Sequence, residues 1–168
     1  TVIYTITPTA ANGCTGVAFT ANVLVKPEPV VANQTAMTCS DVALNFDLDA
    51  LVAGAGDTYT YTVASSNQMN VPAGAARVTA SNVNITDTYT NTTGADVTIT
   101  YTVTPIGANG CAGNTFTVTV TVKPEPVVGP QTAMTCSNVA LNYDLDALVS
   151  GAGDTYTYTV SSSDQANV

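Results

Sequence analysis

Four cysteines, twelve carboxylates and no histidine set the limits of what this 168-residue chain can do chemically. Without histidine there is no Ser–His or Cys–His nucleophile pair, and no serine has an identifiable base. Gly54-Ala-Gly56 has the glycines of a phosphate-cradling loop, but no lysine follows and no helix is expected to open there. These residues describe a protein that is not an enzyme. Zinc is disfavoured too, because no two cysteines lie close enough in sequence to form a knuckle. The remaining metal chemistry rests on carboxylates. Asp47 and Asp49 share the outward face at the end of an expected strand, and Asp57 follows a glycine-rich loop. Hard oxygen ligands of this kind suit calcium, the one candidate cofactor; the competing role is a solvated acidic loop that caps strand ends. The spacing is not that of an EF-hand, and folding is expected not to require calcium.

Elements that would position these groups follow from period-two alternation. Thr115 to Val122 sets Phe116, Val118, Val120 and Val122 on one face and threonines on the other. Val97 to Val103, Thr58 to Val63 and Val42 to Leu48 alternate similarly, with weaker strands at Arg77 to Ser81, Val83 to Tyr89 and Thr35 to Thr38. Pro105 to Gly113, with Asn109-Gly110, reads as the loop of the last hairpin. Seven short strands in about a hundred residues predict an all-β, two-sheet antiparallel sandwich of immunoglobulin-like type. Tyr59, Tyr61, Tyr89 and Tyr101 then have two roles open to them, core packing or a platform for stacking glycans.

The chain also repeats itself. Tyr4-Thr-Ile-Thr-Pro8 with Asn12-Gly-Cys14 returns 97 residues later as Tyr101-Thr-Val-Thr-Pro105 with Asn109-Gly-Cys111. From Lys26 to Val63 the second copy differs at five positions: Ala32/Gly129, Asn33/Pro130, Asp41/Asn138, Phe46/Tyr143 and Ala53/Ser150. The acidic trio returns as Asp144, Asp146 and Asp154. A period of this length matches one compact domain rather than a solenoid unit. Residues 1–27 therefore read as the end of one repeat, 28–124 as a complete sandwich, and 125–168 as the start of the next, within a longer array. Lys26-Pro27-Glu28-Pro29 and Lys123-Pro124-Glu125-Pro126 form short, stiff linkers.

Charge narrows the partners. Three Lys and Arg against twelve Asp and Glu give a net charge of −9, which argues against nucleic acid and anionic membrane surfaces. No apolar run is long enough to span a bilayer. The expected partners are neighbouring repeats of the same chain, with lateral self-association or surface polysaccharide as further options. Asn33, Asn84 and Asn91 open Asn-X-Thr triplets, which are glycosylation acceptors in a eukaryotic secretory route and otherwise incidental in a sequence rich in both residues.

The order Tyr101-Thr-Val-Thr-Pro, Asn-Gly-Cys111 and Thr-Phe-Thr-Val-Thr-Val-Thr-Val-Lys-Pro-Glu-Pro resembles the closing signature of PKD-like repeats. The Thr-Cys-Ser around Cys39, the Tyr-Thr-Tyr-Thr-Val strand and Thr90-Asn-Thr-Thr93 extend the resemblance over the whole period. Tryptophan and the Asp-Phe-Gly-Asp-Gly loop of PKD domains proper are both missing. The resemblance implies tandem sandwiches in very large secreted surface proteins of Bacteroidota, exported by the type IX system and used as stalks or adhesins, some in gliding motility. The leading expectation is a spacer in an extracellular filament. The alternatives are a multivalent glycan- or surface-binding adhesive module and an accessory domain of a secreted hydrolase.

One cysteine near each end of the repeat suggests disulfides and an oxidising compartment. The expected bridge is Cys39–Cys111, self-contained within the complete repeat, with Cys14 and Cys136 their equivalents. Two other pairings stay open: a staple between neighbouring repeats across the junction, and the local pairs Cys14–Cys39 and Cys111–Cys136.

Overall fold

The structure, a computed structural model, describes residues 1–51, 57–149 and 155–163. Two strands, β1 (Val2–Ile6) and β2 (Phe19–Val23), form an antiparallel hairpin. Five more follow: β3 (Gln34–Cys39), β4 (Thr58–Ser65), β5 (Arg77–Ser81), β6 (Val97–Ile106) and β7 (Phe116–Lys123). They make one sheet in the order β3-β7-β6-β4-β5. Helical structure among the described residues is limited to two three-residue 3-10 turns, at Asp49–Leu51 and Asp146–Leu148.

The alternation read from the sequence sorts the faces of this sheet. Along β7 every second side chain, Phe116, Val118, Val120 and Val122, is buried, and the intervening threonines are half-exposed. On β6 the buried set is Val97, Ile99, Tyr101 and Val103. Opposite this face lies a short second layer. Segments 41–46 and 85–89 run antiparallel through backbone bonds from Asp41 N to Tyr89 O, Leu44 N to Asp87 O and Phe46 N to Ile85 O. Leu48, Ile85 and Tyr89 bury against the large sheet, with Leu44 and Phe46 packed at the margin. The result is a β-sandwich whose core runs from Val31 to Val122.

Three details depart from the sequence expectation. The sheet is mixed, because β3 pairs with β7 in parallel, Gln34 beside Val118 and Cys39 beside Lys123. The first and last strands of the repeat therefore run in the same direction, which an all-antiparallel sandwich would not allow. Val42 to Leu48 is not a regular strand. Asp41 and Asn45 take positive φ values of 61° and 47°, which kinks the alternation and leaves Val42 exposed. Finally, β6 continues through Pro105, which faces Tyr59 in register with β4. Proline has no N–H to give the ladder, but its carbonyl still accepts the Gly113 amide at 2.9 Å and so helps to close the hairpin.

Candidate functional site

The expected chemical groups fall at three places, and the first is the core. Tyr59, Tyr61, Tyr89 and Tyr101 are all buried, so the glycan-stacking alternative does not hold for them. Tyr61 meets Tyr101 edge to face at 5.3 Å, and the Arg77 guanidinium covers the Tyr61 ring at 4.8 Å. The Tyr101 hydroxyl donates to Asp87 Oδ2 at 2.7 Å and lies 2.6 Å from the Tyr89 hydroxyl. Burial raises the pKa of both phenols, and the nearby Asp87 charge adds to the effect. Tyr89, Tyr101 and Asp87 form a polar lock inside an apolar core, and no hydroxyl of the four tyrosines is presented to solvent as a reagent.

The second place is the acidic loop. Asp47 is exposed and its Oδ1 accepts the amides of Asp49 and Ala50 at 3.0 and 3.3 Å, capping the 3-10 turn. Asp57 is buried at the start of β4, and its Oδ1 accepts the Ala108 amide at 2.8 Å, tying that loop to the final hairpin. Asp144 repeats the Asp47 cap, donated by Asp146 N at 3.0 Å. Among the described residues no three His, Cys, Asp or Glu side chains converge as a metal site. Asp47 and Asp57 each give one carboxylate oxygen to backbone amides, so the described geometry adds no support to calcium at Asp47, Asp49 and Asp57. Asp154 and Gly54-Ala-Gly56 lie outside the described residues. The three carboxylates do surround one group: with burial as the main cause, Asp49, Asp57 and Asp47 push the Tyr59 phenol up to about 12.

The third place is the pair of ends of the sandwich, and most of the specific bonding is there. The β6–β7 hairpin turns at Gly110, whose φ of 81° favours glycine. Asn109 Oδ1 accepts the Cys111 amide at 2.9 Å, while its Nδ2 donates to the Pro27 carbonyl at 2.8 Å. Lys26 Nζ donates to the Asn109 carbonyl at 3.1 Å. Asn114 Nδ2 reaches Glu28 at 3.4 Å, and Pro29 packs so closely on Gly113 that any Cβ there would strike the Pro29 carbonyl. The linker is thus seated on the hairpin that follows it. At the far end, Ser40 N donates to the Lys123 carbonyl at 2.9 Å and Glu125 N to the Asn91 carbonyl at 3.0 Å. Asn91, fully buried, donates through Nδ2 to Ala95 O and Val122 O, both at 2.9 Å, and accepts from Thr93. Sequence reading passed over Asn91 as part of a triplet. An asparagine two residues after a buried tyrosine, just before a glycine turn, is the signal that it serves as a joint.

All four cysteines are free thiols. The Cys39–Cys111 bridge is not formed, and the topology explains why. Cys39 lies beside Lys123 at the end of β7, whereas Cys111 precedes the first residue of β7 at the opposite end of the sheet. Eight strand residues separate the two ends, roughly 26 Å at ~3.3 Å per residue, against the ~7 Å that a disulfide permits between Cα atoms.

A sequence profile of the PKD-like domain matches residues 1–29 and again 36–126. The chain belongs to the PKD-like family. A comparison with curated proteins returned no match. PKD-like sandwiches are typically non-catalytic and often extracellular, structural or adhesive modules. Among the described residues no helix is long and apolar enough to cross a membrane.

Proposed function

We propose that this PKD-like chain is a run of spacer repeats in an extracellular filament or stalk on a bacterial cell surface, holding a functional tip away from its anchor. The observation that carries the reading is the seated linker. Because β3 and β7 are parallel, the chain comes into the sandwich at the hairpin end and leaves at the Lys123 end. Each repeat therefore advances the chain by about the length of its strands, roughly 30 Å. Lys26, Pro27, Glu28 and Pro29 each contact the following hairpin, so the joint is bonded rather than slack. All three cations of the chain serve the structure: Lys26 at the joint, Lys123 in an ion pair with Asp96 at 2.6 Å, and Arg77 on the carbonyls of Val83 and Asn84. None is left to recruit an anionic ligand, and burial of the tyrosines takes away the residues nominated for a glycan platform.

Small-angle scattering of chains with two, three and four complete repeats tests this reading. The maximum dimension should grow linearly, by about 30–40 Å per repeat. Growth close to the square root of repeat number would mean slack joints and reject the spacer. Binding of the same chains to polysaccharide or cells, rising with repeat number, would favour the adhesive alternative.

A further inference from the structure

Each repeat carries one cysteine at each end of its sandwich, and the junction within this chain shows how two such ends meet. Cys39 ends β3 beside Lys123, and the next residue, Ser40, holds the Lys123 carbonyl at 2.9 Å. Lys26 is the counterpart of Lys123 one period earlier. It is followed by Pro27, whose carbonyl receives Asn109 Nδ2, and the same asparagine side chain receives the Cys111 amide. One amide side chain is all that separates the Lys-Pro hinge from Cys111. The hairpin cysteine of one repeat and the β3 cysteine of the repeat before it therefore converge on the same two linker residues. Cys39 is exposed and Cys111 half-buried, so both thiols are open to an oxidant.

We propose that consecutive repeats are stapled by a disulfide from Cys39 of one repeat to the residue corresponding to Cys111 in the next. This rests on the tandem-array reading above. The present sequence does not contain the second member of that pair for any of its four cysteines, since each lies one period beyond the hairpin or before the β3 segment shown here. The step is a thiol–disulfide exchange. Two thiols lose two protons and two electrons to form one S–S bond, and a disulfide oxidant such as oxidised glutathione accepts them and leaves as two thiols. The product would lock the Lys-Pro hinge that Lys26 and Asn109 only hydrogen-bond.

The test uses two complete repeats in series, residues 27–123 followed by the same residues again, since every core residue of the repeat lies within that span. The chain is equilibrated with oxidised and reduced glutathione, denatured, alkylated and weighed. Two alkylated cysteines are expected, the first copy's Cys111 and the second copy's Cys39. Cys39→Ser in the first copy should free a third thiol, whereas Cys39→Ser in the second copy should leave the bridge intact and one thiol free. No alkylated cysteine would mean that each repeat bridges itself, and four would mean no bridge; either overturns the proposal. So does a bridge that survives Cys39→Ser in the first copy. Scattering dimensions judge the spacer and thiol counts judge the staple, so either can fail alone.

Discussion

The segments Gln34–Val63 and Gln131–Val160 have nearly the same sequence and different structures, and the difference separates what is local in this fold from what is not. Several turn features are the same in both, although the positive φ of Asn45 is not repeated at Asn142. Thr38 Oγ1 donates to Val42 O at 3.0 Å, as Thr135 Oγ1 does to Val139 O. Asp41 and Asn138 have φ values of 61° and 62°, and both copies carry the Asp-Ala-Leu 3-10 turn behind an aspartate cap. Strands are not the same. Gln34–Cys39 is β3, but the identical Gln131–Cys136 is not a strand. Thr58-Tyr-Thr-Tyr-Thr-Val63 lies in β4, whereas Thr155–Val160 is not a strand, and Tyr158 is 79% exposed where Tyr61 is 8%. The first copy pairs with β6 and β7; among the described residues after Lys123 no strand forms. Alternation alone makes a segment competent to be a strand. A paired neighbour makes it one.

The largest expected effect tests this from the opposite end of the chain. Tyr101 on β6 and Tyr4 on β1 are counterparts, one fully buried and the other 54% exposed. Tyr101→Ala removes a core ring and two hydroxyl contacts and should cost about 3–5 kcal/mol in urea unfolding. Tyr4→Ala should stay within about 0.5 kcal/mol. Comparable losses would show that the β1–β2 hairpin packs on something beyond its own two strands.

The second effect is alkaline. Burial, then the charges of Asp49, Asp57 and Asp47, raise the Tyr59 phenol to about 12 in the folded state, above an unfolded value of ~10. The folded protein keeps its proton longer, so the stability tied to this group is intact below pH ~10 and is lost as pH climbs towards about 12. Tyr59→Phe should flatten that limb of the stability profile by on the order of 2 kcal/mol. At neutral pH it should stabilise by about 1 kcal/mol, because among the described residues the buried hydroxyl it removes has no hydrogen-bond partner. Tyr4→Phe is the exposed control, and an identical flattening there would remove the argument from burial.

How much of this was legible follows the same division. The faces of β4, β6 and β7 could be read from the sequence because each buries every second residue, and the hairpin because Asn109-Gly110 encodes its own turn. The parallel pairing of β3 with β7 could not, since register between strands about eighty residues apart leaves no mark on either strand. That pairing decides where Cys39 sits, and the self-contained bridge failed with it. Calcium at Asp47, Asp49 and Asp57 gains no support for a related reason: spacing brought three aspartates to one loop end, but the amides of Asp49, Ala50 and Ala108 take one oxygen each of Asp47 and Asp57. Asn91 was missed because two of its partners, Val122 and Glu125, become neighbours only when β7 comes to rest beside β6.

The smallest effect is also the sharpest test of the local half of the comparison. Asp47→Ala removes the cap of the Asp49–Leu51 turn, which follows Leu48, a fully buried core residue. Loss of an exposed cap on so short a turn belongs at the low end of capping energies, so about 0.5–1 kcal/mol of global stability should go. Asp144→Ala removes the matching bond in the second copy, where the residue that follows, Leu145, is only half-buried. No global transition should move. Backbone chemical shifts of Asp49 and Asp146 should nevertheless change alike in the two variants, because the lost contact is the same aspartate oxygen on the amide two residues later. If only the Asp49 shifts respond, the second turn is not held by its own aspartate. The turns would then depend on the surrounding sandwich as the strands do, and the line between local and imposed structure would have to be redrawn.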